Sequence, residues 1–142
     1  MKKKRLIYTL LYNKGYFMLS RNFRLQKVGD FKWLKKHYNF EKIASSIDEL
    51  IILDVTREGR DINEFSSVVK DVIKNVFIPV ACGGGIRTLD DAKLLLKSGA
   101  DKIVVNTTLH TNKELINSLV KNYGSQFVVG SIDFQIENDV KN

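Results

Sequence analysis

With 142 residues, 44% of them apolar and a single proline, the chain has the makings of one packed domain and is neither disordered nor collagen-like. Its lone cysteine, Cys82, excludes an internal disulfide; lying in an apolar run, it reads as a small buried hydrophobe, which fits a reducing compartment. The net charge of +7 is concentrated in Lys2, Lys3, Lys4 and Arg5 and otherwise scattered without interleaved aromatics, so a solvated face or an attraction for phosphorylated metabolites is expected rather than nucleic-acid binding.

The charged start and the run Leu6 to Tyr12 imitate a signal peptide, but Tyr8 and Thr9 interrupt the run and no small-residue cleavage site follows. No segment has the length of a membrane span. A cytoplasmic protein with no membrane partner is therefore expected.

Strand-like runs cover Leu6 to Leu11, Leu50 to Val55, Val80 to Cys82, Lys102 to Val105 and Phe127 to Asp133. Helical patterns lie between them at Phe31 to Ile43, Ile62 to Val76, Asp90 to Ser98 and Lys113 to Tyr123. In the second of these, Phe65, Val68, Val69, Val72 and Ile73 recur at three and four, the mark of one buried face. Such alternation predicts a parallel α/β fold, and strands this apolar predict a sheet covered on both faces. The segment Tyr12 to Asp30 is surplus to the repeat and has two readings, a lid over a site or a surface hairpin without a catalytic role.

The stretch Ile78 to Thr107 carries the chemistry. A short strand, Val80 to Cys82, runs into Gly83, Gly84 and Gly85, where the absence of β-carbons lets the backbone approach a ligand. Thr88 then caps a helix with Asp90 and Asp91 in its first turn, and Ala92, Leu94, Leu95 and Leu96 face the sheet. Gly99 ends the helix, and the next strand delivers Asn106, Thr107 and Thr108 at its exit. Glycines alone make only a tight turn; two successive strand ends offering phosphate-friendly groups to one place make a cradle, because ligands of βαβ units sit beyond the carboxyl ends of the strands. Asp54, at a strand end, is either a residue orienting polar groups of that site or a plain strand-end carboxylate. His37 and His110 have no carboxylate or cysteine at ligand spacing, so no metal is expected.

A barrel of eight βα units needs roughly 250 residues. Four units and a fifth strand make a (β/α) half-barrel, the N-terminal half of a TIM (β/α)8 barrel. The expectation is one such domain across residues 1–142, truncated from a longer protein or self-associating to cover its first and last strands.

From Lys4 to about Asp133 the chain resembles the cyclase subunit of imidazole glycerol phosphate synthase, a lyase of histidine biosynthesis that receives ammonia from a glutaminase subunit. The resemblance rests on Asp48-Glu49-Leu50 with Leu53-Asp54, Glu58-Gly59-Arg60-Asp61, Ile78 to Thr107, Tyr123-Gly124-Ser125-Gln126 and Ser131-Ile132-Asp133. It implies that Gly84, Gly85, Asn106 and Thr107 bind one phosphate of a bis-phosphorylated substrate, and that Asp133 is one of two catalytic aspartates, moving protons during ring closure. It also implies that Arg5, Glu49 and Lys102 belong to a charged ring at the N-terminal mouth through which ammonia enters, with Asp101 at the glutaminase docking face. The same three could instead be an ion-pair network holding strand starts together. No dissociable cofactor is implied.

Two departures stand out. The family's other catalytic aspartate falls on Leu11, and its loop lysine on Leu19. With the segment Phe17 to Gln26, these resemble a divergent branch linked to amidotransfer onto bacterial surface sugars, implying a weakly catalytic or non-catalytic partner that accepts ammonia from a glutamine amidotransferase. An inert truncation product is the third reading.

Overall fold

Strand formation begins where the charged start gives way to β-branched and aromatic residues, and a hairpin follows at once. β1 (Ile7–Asn13) turns through Lys14 and Gly15, at φ +43° and +82°, into antiparallel β2 (Tyr16–Arg21). Positive φ at both turn residues is what a two-residue hairpin matched to strand twist requires. β3 (Arg24–Asp30) returns antiparallel to β2, with a register shift at Phe17/Met18. The computed structural model describes residues 3–22, 24–39, 42, 43 and 45–134.

Asp30 accepts a hydrogen bond from the Trp33 backbone N–H (2.8 Å) and so starts α1 (Phe31–His37). Parallel units follow: β4 (Glu49–Asp54), α2 (Ile62–Ile73), β5 (Val80–Gly83), α3 (Leu89–Lys97), β6 (Lys102–Val105), α4 (Thr107–Thr111), α5 (Lys113–Tyr123), a 3₁₀ turn at Ser125–Phe127 and β7 (Val128–Gly130). The sheet order is β3-β2-β1-β4-β5-β6-β7, with every neighbouring pair from β1 through β7 parallel. The chain thus forms a parallel-dominated α/β sheet, the (β/α) half-barrel that its pattern predicts.

One helix stripe makes the core. Phe65, Val69 and Val72 of α2, Ala92 and Leu95 of α3, and Leu115 and Leu119 of α5 are buried with Leu50, Ile52, Val80, Cys82 and Ile103 of the sheet. Both-face coverage holds for β5 and nearly all of β6. It fails for β1 and β4, where Leu10, Tyr12, Leu50 and Ile52 are buried toward the helices while Leu11, Ile51 and Leu53 stay half-buried on the inner side.

Element boundaries differ from the sequence expectation in several places. α1 ends at His37, because Tyr38 takes an extended conformation and turns its ring back toward Trp33 (6.1 Å); Phe40, within the predicted helix, lies outside the described residues. The last strand pairs only over Val128–Gly130, because its partner β6 stops at Val105. The polar end of the sequence, Glu137 to Asn142, lies outside the described residues. The Tyr12 to Asp30 segment is a hairpin that extends the sheet, and Ser20 and Leu25 near its tip line the cleft described next.

Candidate phosphate-binding site

A cleft of about 620 Å³ opens at the carboxyl ends of β1, β4, β5, β6 and β7, within the size range of small-molecule sites. Its walls include Gly84, Gly85, Asn106 and Thr107, so the two strand ends singled out in the sequence meet in one space. Their loops are stitched together: Thr108, buried, donates its hydroxyl to the Ile86 carbonyl at 2.7 Å.

The glycines are where they are for steric reasons. Gly84 sits at φ +107° against Asp54, and a β-carbon there would fall on the Asp54 carbonyl and 2.7 Å from its amide nitrogen. Gly85, at φ +64°, is covered by the Arg60 side chain, which a β-carbon would displace. The cap of α3 forms as expected. Thr88 accepts from the Asp91 N–H (3.1 Å), while Asp91 Oδ2 accepts from the N–H groups of Arg87 and Thr88, each at 2.9 Å. Those two amides are therefore engaged by Asp91.

Asp54 is buried at the end of β4, where its Oδ1 accepts from the Thr56 N–H (2.9 Å) and its Oδ2 lies 3.4 Å from Arg60 Nε. Arg60 Nη2 also donates to the carbonyls of Thr56 (2.6 Å) and Asp54 (3.3 Å). Asp133 lies on the exposed rim of the cleft, just past β7, and its Oδ2 accepts from Asn106 Nδ2 at 2.8 Å. Leu11 lines the same cleft with Leu25 and Leu53; Leu19 is not among its walls and is exposed on β2.

The second constellation lies at the opposite, N-terminal end of the strands. Glu49 Oε1 pairs with Arg5 Nη2 (2.8 Å) and accepts from Lys102 Nζ (3.0 Å). The Lys102 hydrogen bond, partly opposed by burial and assisted by Arg5, holds the Glu49 carboxyl below the usual range. Asp101 is exposed, and its carboxylate accepts from the Val80 N–H at 2.8 Å, fixing the start of β5. Both contacts tie strand starts together, whatever else they serve.

Cys82 is buried, and burial pushes its thiol up to about 12. His37 stacks on Trp33 at 4.6 Å, and His110 is exposed on α4. Among the described residues no cluster of three His, Cys, Asp or Glu side chains could hold a metal, and no helix is long and apolar enough to cross a membrane. Sequence reasoning did not single out Arg57 or Arg87, which also line the cleft, nor Arg60 beyond its place in a motif; Thr108, expected at the exit of β6, lines it too. Only the charge of the arginines hinted at them, since their convergence depends on loops from different strands.

Alternating strands and helices with a cleft at the carboxyl ends of the strands define part of a (β/α)-barrel unit. A sequence profile described as "Histidine biosynthesis protein" matches residues 26–141, and the chain belongs to that family. Its relatives include imidazole glycerol phosphate synthase subunits. One from Parasynechococcus marenigrum (strain WH8102), provisionally named subunit hisF2, is 50% identical over 135 residues, which cover 95% of this chain and 50% of that protein. Subunit HisF of Helicobacter hepaticus is 39% identical over 131 residues (92% and 51%), and that of Dictyoglomus turgidum 41% over 106 residues (75% and 40%). The chain spans about half the length of the curated relatives it matches.

Proposed function

We propose that the chain supplies the phosphate-anchoring half of a cyclase-type lyase site in histidine biosynthesis, acting in the cytoplasm on a bis-phosphorylated substrate with ammonia from a glutaminase subunit. The observation that carries the reading is the single cleft in which Gly84, Gly85, Asn106 and Thr107 converge with Asp133 at the rim. Backbone amides at glycines suit a phosphate because they bring dipoles close without a β-carbon in the way. Asp133 is suited to proton transfer. Its Oδ2 is held by Asn106, which orients the carboxylate, and among the described residues Oδ1 has no protein partner and is available to a substrate proton.

At the other mouth, the Arg5–Glu49–Lys102 triad offers a polar threshold for ammonia, and Asp101 a docking carboxylate for the glutaminase. The exposed Leu6 and Ile7 at one end of the barrel strands and Ile132 and Phe134 at the other would be covered by a complementary half-barrel or a second copy. Titration of isotope-labelled protein with ribose 5-phosphate tests the central claim: amide shifts are expected at Gly84, Gly85, Asn106 and Thr107. Shifts confined to the lysine-rich surface would overturn it.

Leu11 favours a second reading. Where the resembled family has its other acid, the cleft floor is apolar, so a two-carboxylate reaction lacks one partner. On this reading the chain is a weakly catalytic or non-catalytic ammonia acceptor that works with a glutamine amidotransferase in surface-sugar biosynthesis. Leu11→Asp, placed in an assembly that completes the barrel, separates the two. If it creates ammonia-dependent cyclisation that the parent lacks, the direct cyclase reading is wrong; if the parent already cyclises, the acceptor reading is wrong.

A further inference from the structure

We infer that Arg60 is the fixed cation of the cleft, clamped by the β4 exit so that its free Nη1 meets the anionic group seated on Gly84 and Gly85. The inference rests on the phosphate reading above and adds a residue to which neither the sequence pattern nor the relatives' names give a role. Three contacts immobilise the group. Nη2 donates to the Thr56 and Asp54 carbonyls, and Nε lies 3.4 Å from the buried Asp54 carboxylate.

Neither Nε nor Asp54 Oδ2 makes a hydrogen bond within the protein, so this is a charge contact without hydrogen-bond geometry, adjustable when a ligand arrives. Nη1 is left over. It makes no hydrogen bond to the described residues, yet it occupies the space that a β-carbon on Gly85 would fill, inside the cleft wall.

This arrangement explains why adjacent glycines are needed. Gly84 admits the Asp54 backbone, and Gly85 admits the guanidinium that the same backbone holds. The loops after β4 and β5 thereby become one rigid wall carrying a positive charge at the cradle. The Nη1 nitrogen that remains keeps two N–H donors and the charge of the guanidinium, which suits an anionic oxygen placed beside the Gly84 and Gly85 backbone. The ligand class that follows is a phosphate monoester in its dianionic form. A carboxylate of similar size, with one charge and two oxygens, would bind more weakly.

The test is a titration of the full chain with ribose 5-phosphate and with inorganic phosphate, following backbone amides and the arginine side-chain nitrogen signals together. In the wild type, the Arg60 Nη signals should shift in parallel with the Gly84 and Gly85 amides, with affinity rising as pH passes the second phosphate pKa near about 6. Arg60→Gln should weaken binding by about tenfold and flatten that pH dependence, and Arg60→Lys should recover only part of it. Amide shifts at Gly84 and Gly85 with still Arg60 signals, or with unchanged affinity in Arg60→Gln, would overturn the inference and leave the phosphate reading standing. No shift at the glycine amides would defeat both. Because the side-chain signals are read in the wild type, a poorly folding variant does not protect the idea.

Discussion

Asn106 Nδ2 donates to Asp133 Oδ2 at 2.8 Å, joining the exit of β6 to the exit of β7. One Nδ2 hydrogen of the Asn106 amide is therefore committed to a carboxylate. Asn106→Asp replaces this hydrogen bond by two facing carboxylates beside the cradle. Phosphate-monoester affinity is expected to fall by more than about tenfold, whereas Asn106→Ala should lower it by about threefold or less. Calorimetric titration with ribose 5-phosphate at neutral pH separates the two.

The contact between Gly84 and the Asp54 backbone makes a stability prediction. Gly84→Ala must change a φ of +107° and relieve a clash with main-chain atoms that cannot swing aside. A loss of roughly 3 kcal/mol is expected in urea unfolding. Ala at Gly15 adds the cost of positive φ, but its β-carbon would come only within 3.4 Å of a Glu64 carboxylate oxygen, so the loss there should be about 1 kcal/mol.

Glu49 sets an acid limb. Lys102 first, and then Arg5, hold its carboxyl below the ordinary value, so its contribution is complete above about pH 4.3 and fades as pH falls through the lower folded value. Glu49→Gln should cost about 1 kcal/mol at pH 7, and the difference from wild type should be smaller at about pH 3. Unfolding curves at both pH values check this; an equal difference at both would show that packing rather than charge is responsible.

Cys82 should be inert in the folded chain. With the thiol pushed up to about 12 and the sulfur buried, Ellman's reagent at pH 8 should label it only at the rate of unfolding. Stoichiometric release within minutes from native protein would contradict the buried placement.

Much of this was legible in the chain because the signals were local. Thr88 and Asp91 announce a capping box, the apolar stripe of α2 announces its buried face, and Gly84 and Gly85 announce a close approach. What was illegible depends on partners distant in sequence. The hairpin strands β2 and β3 mix polar and apolar residues because much of their length is exposed, so no clean period marks them. Arg60 looks like a loop arginine until Asp54 and Gly85 are brought beside it. The end of β7 was overextended because Val128 to Asp133 reads as strand alone, whereas pairing stops where β6 does.

The hairpin touches β1 only at Leu11, Tyr12 and Asn13, so on that side Ile7 to Leu10 have no strand neighbour among the described residues. Any extended segment that zips onto this margin must begin near Ile7 and halt at Leu11, where β2 already occupies the ladder. The hairpin thus acts as a ruler. It limits an incoming strand to about four residues of pairing and shields the cleft end of the sheet from runaway strand addition.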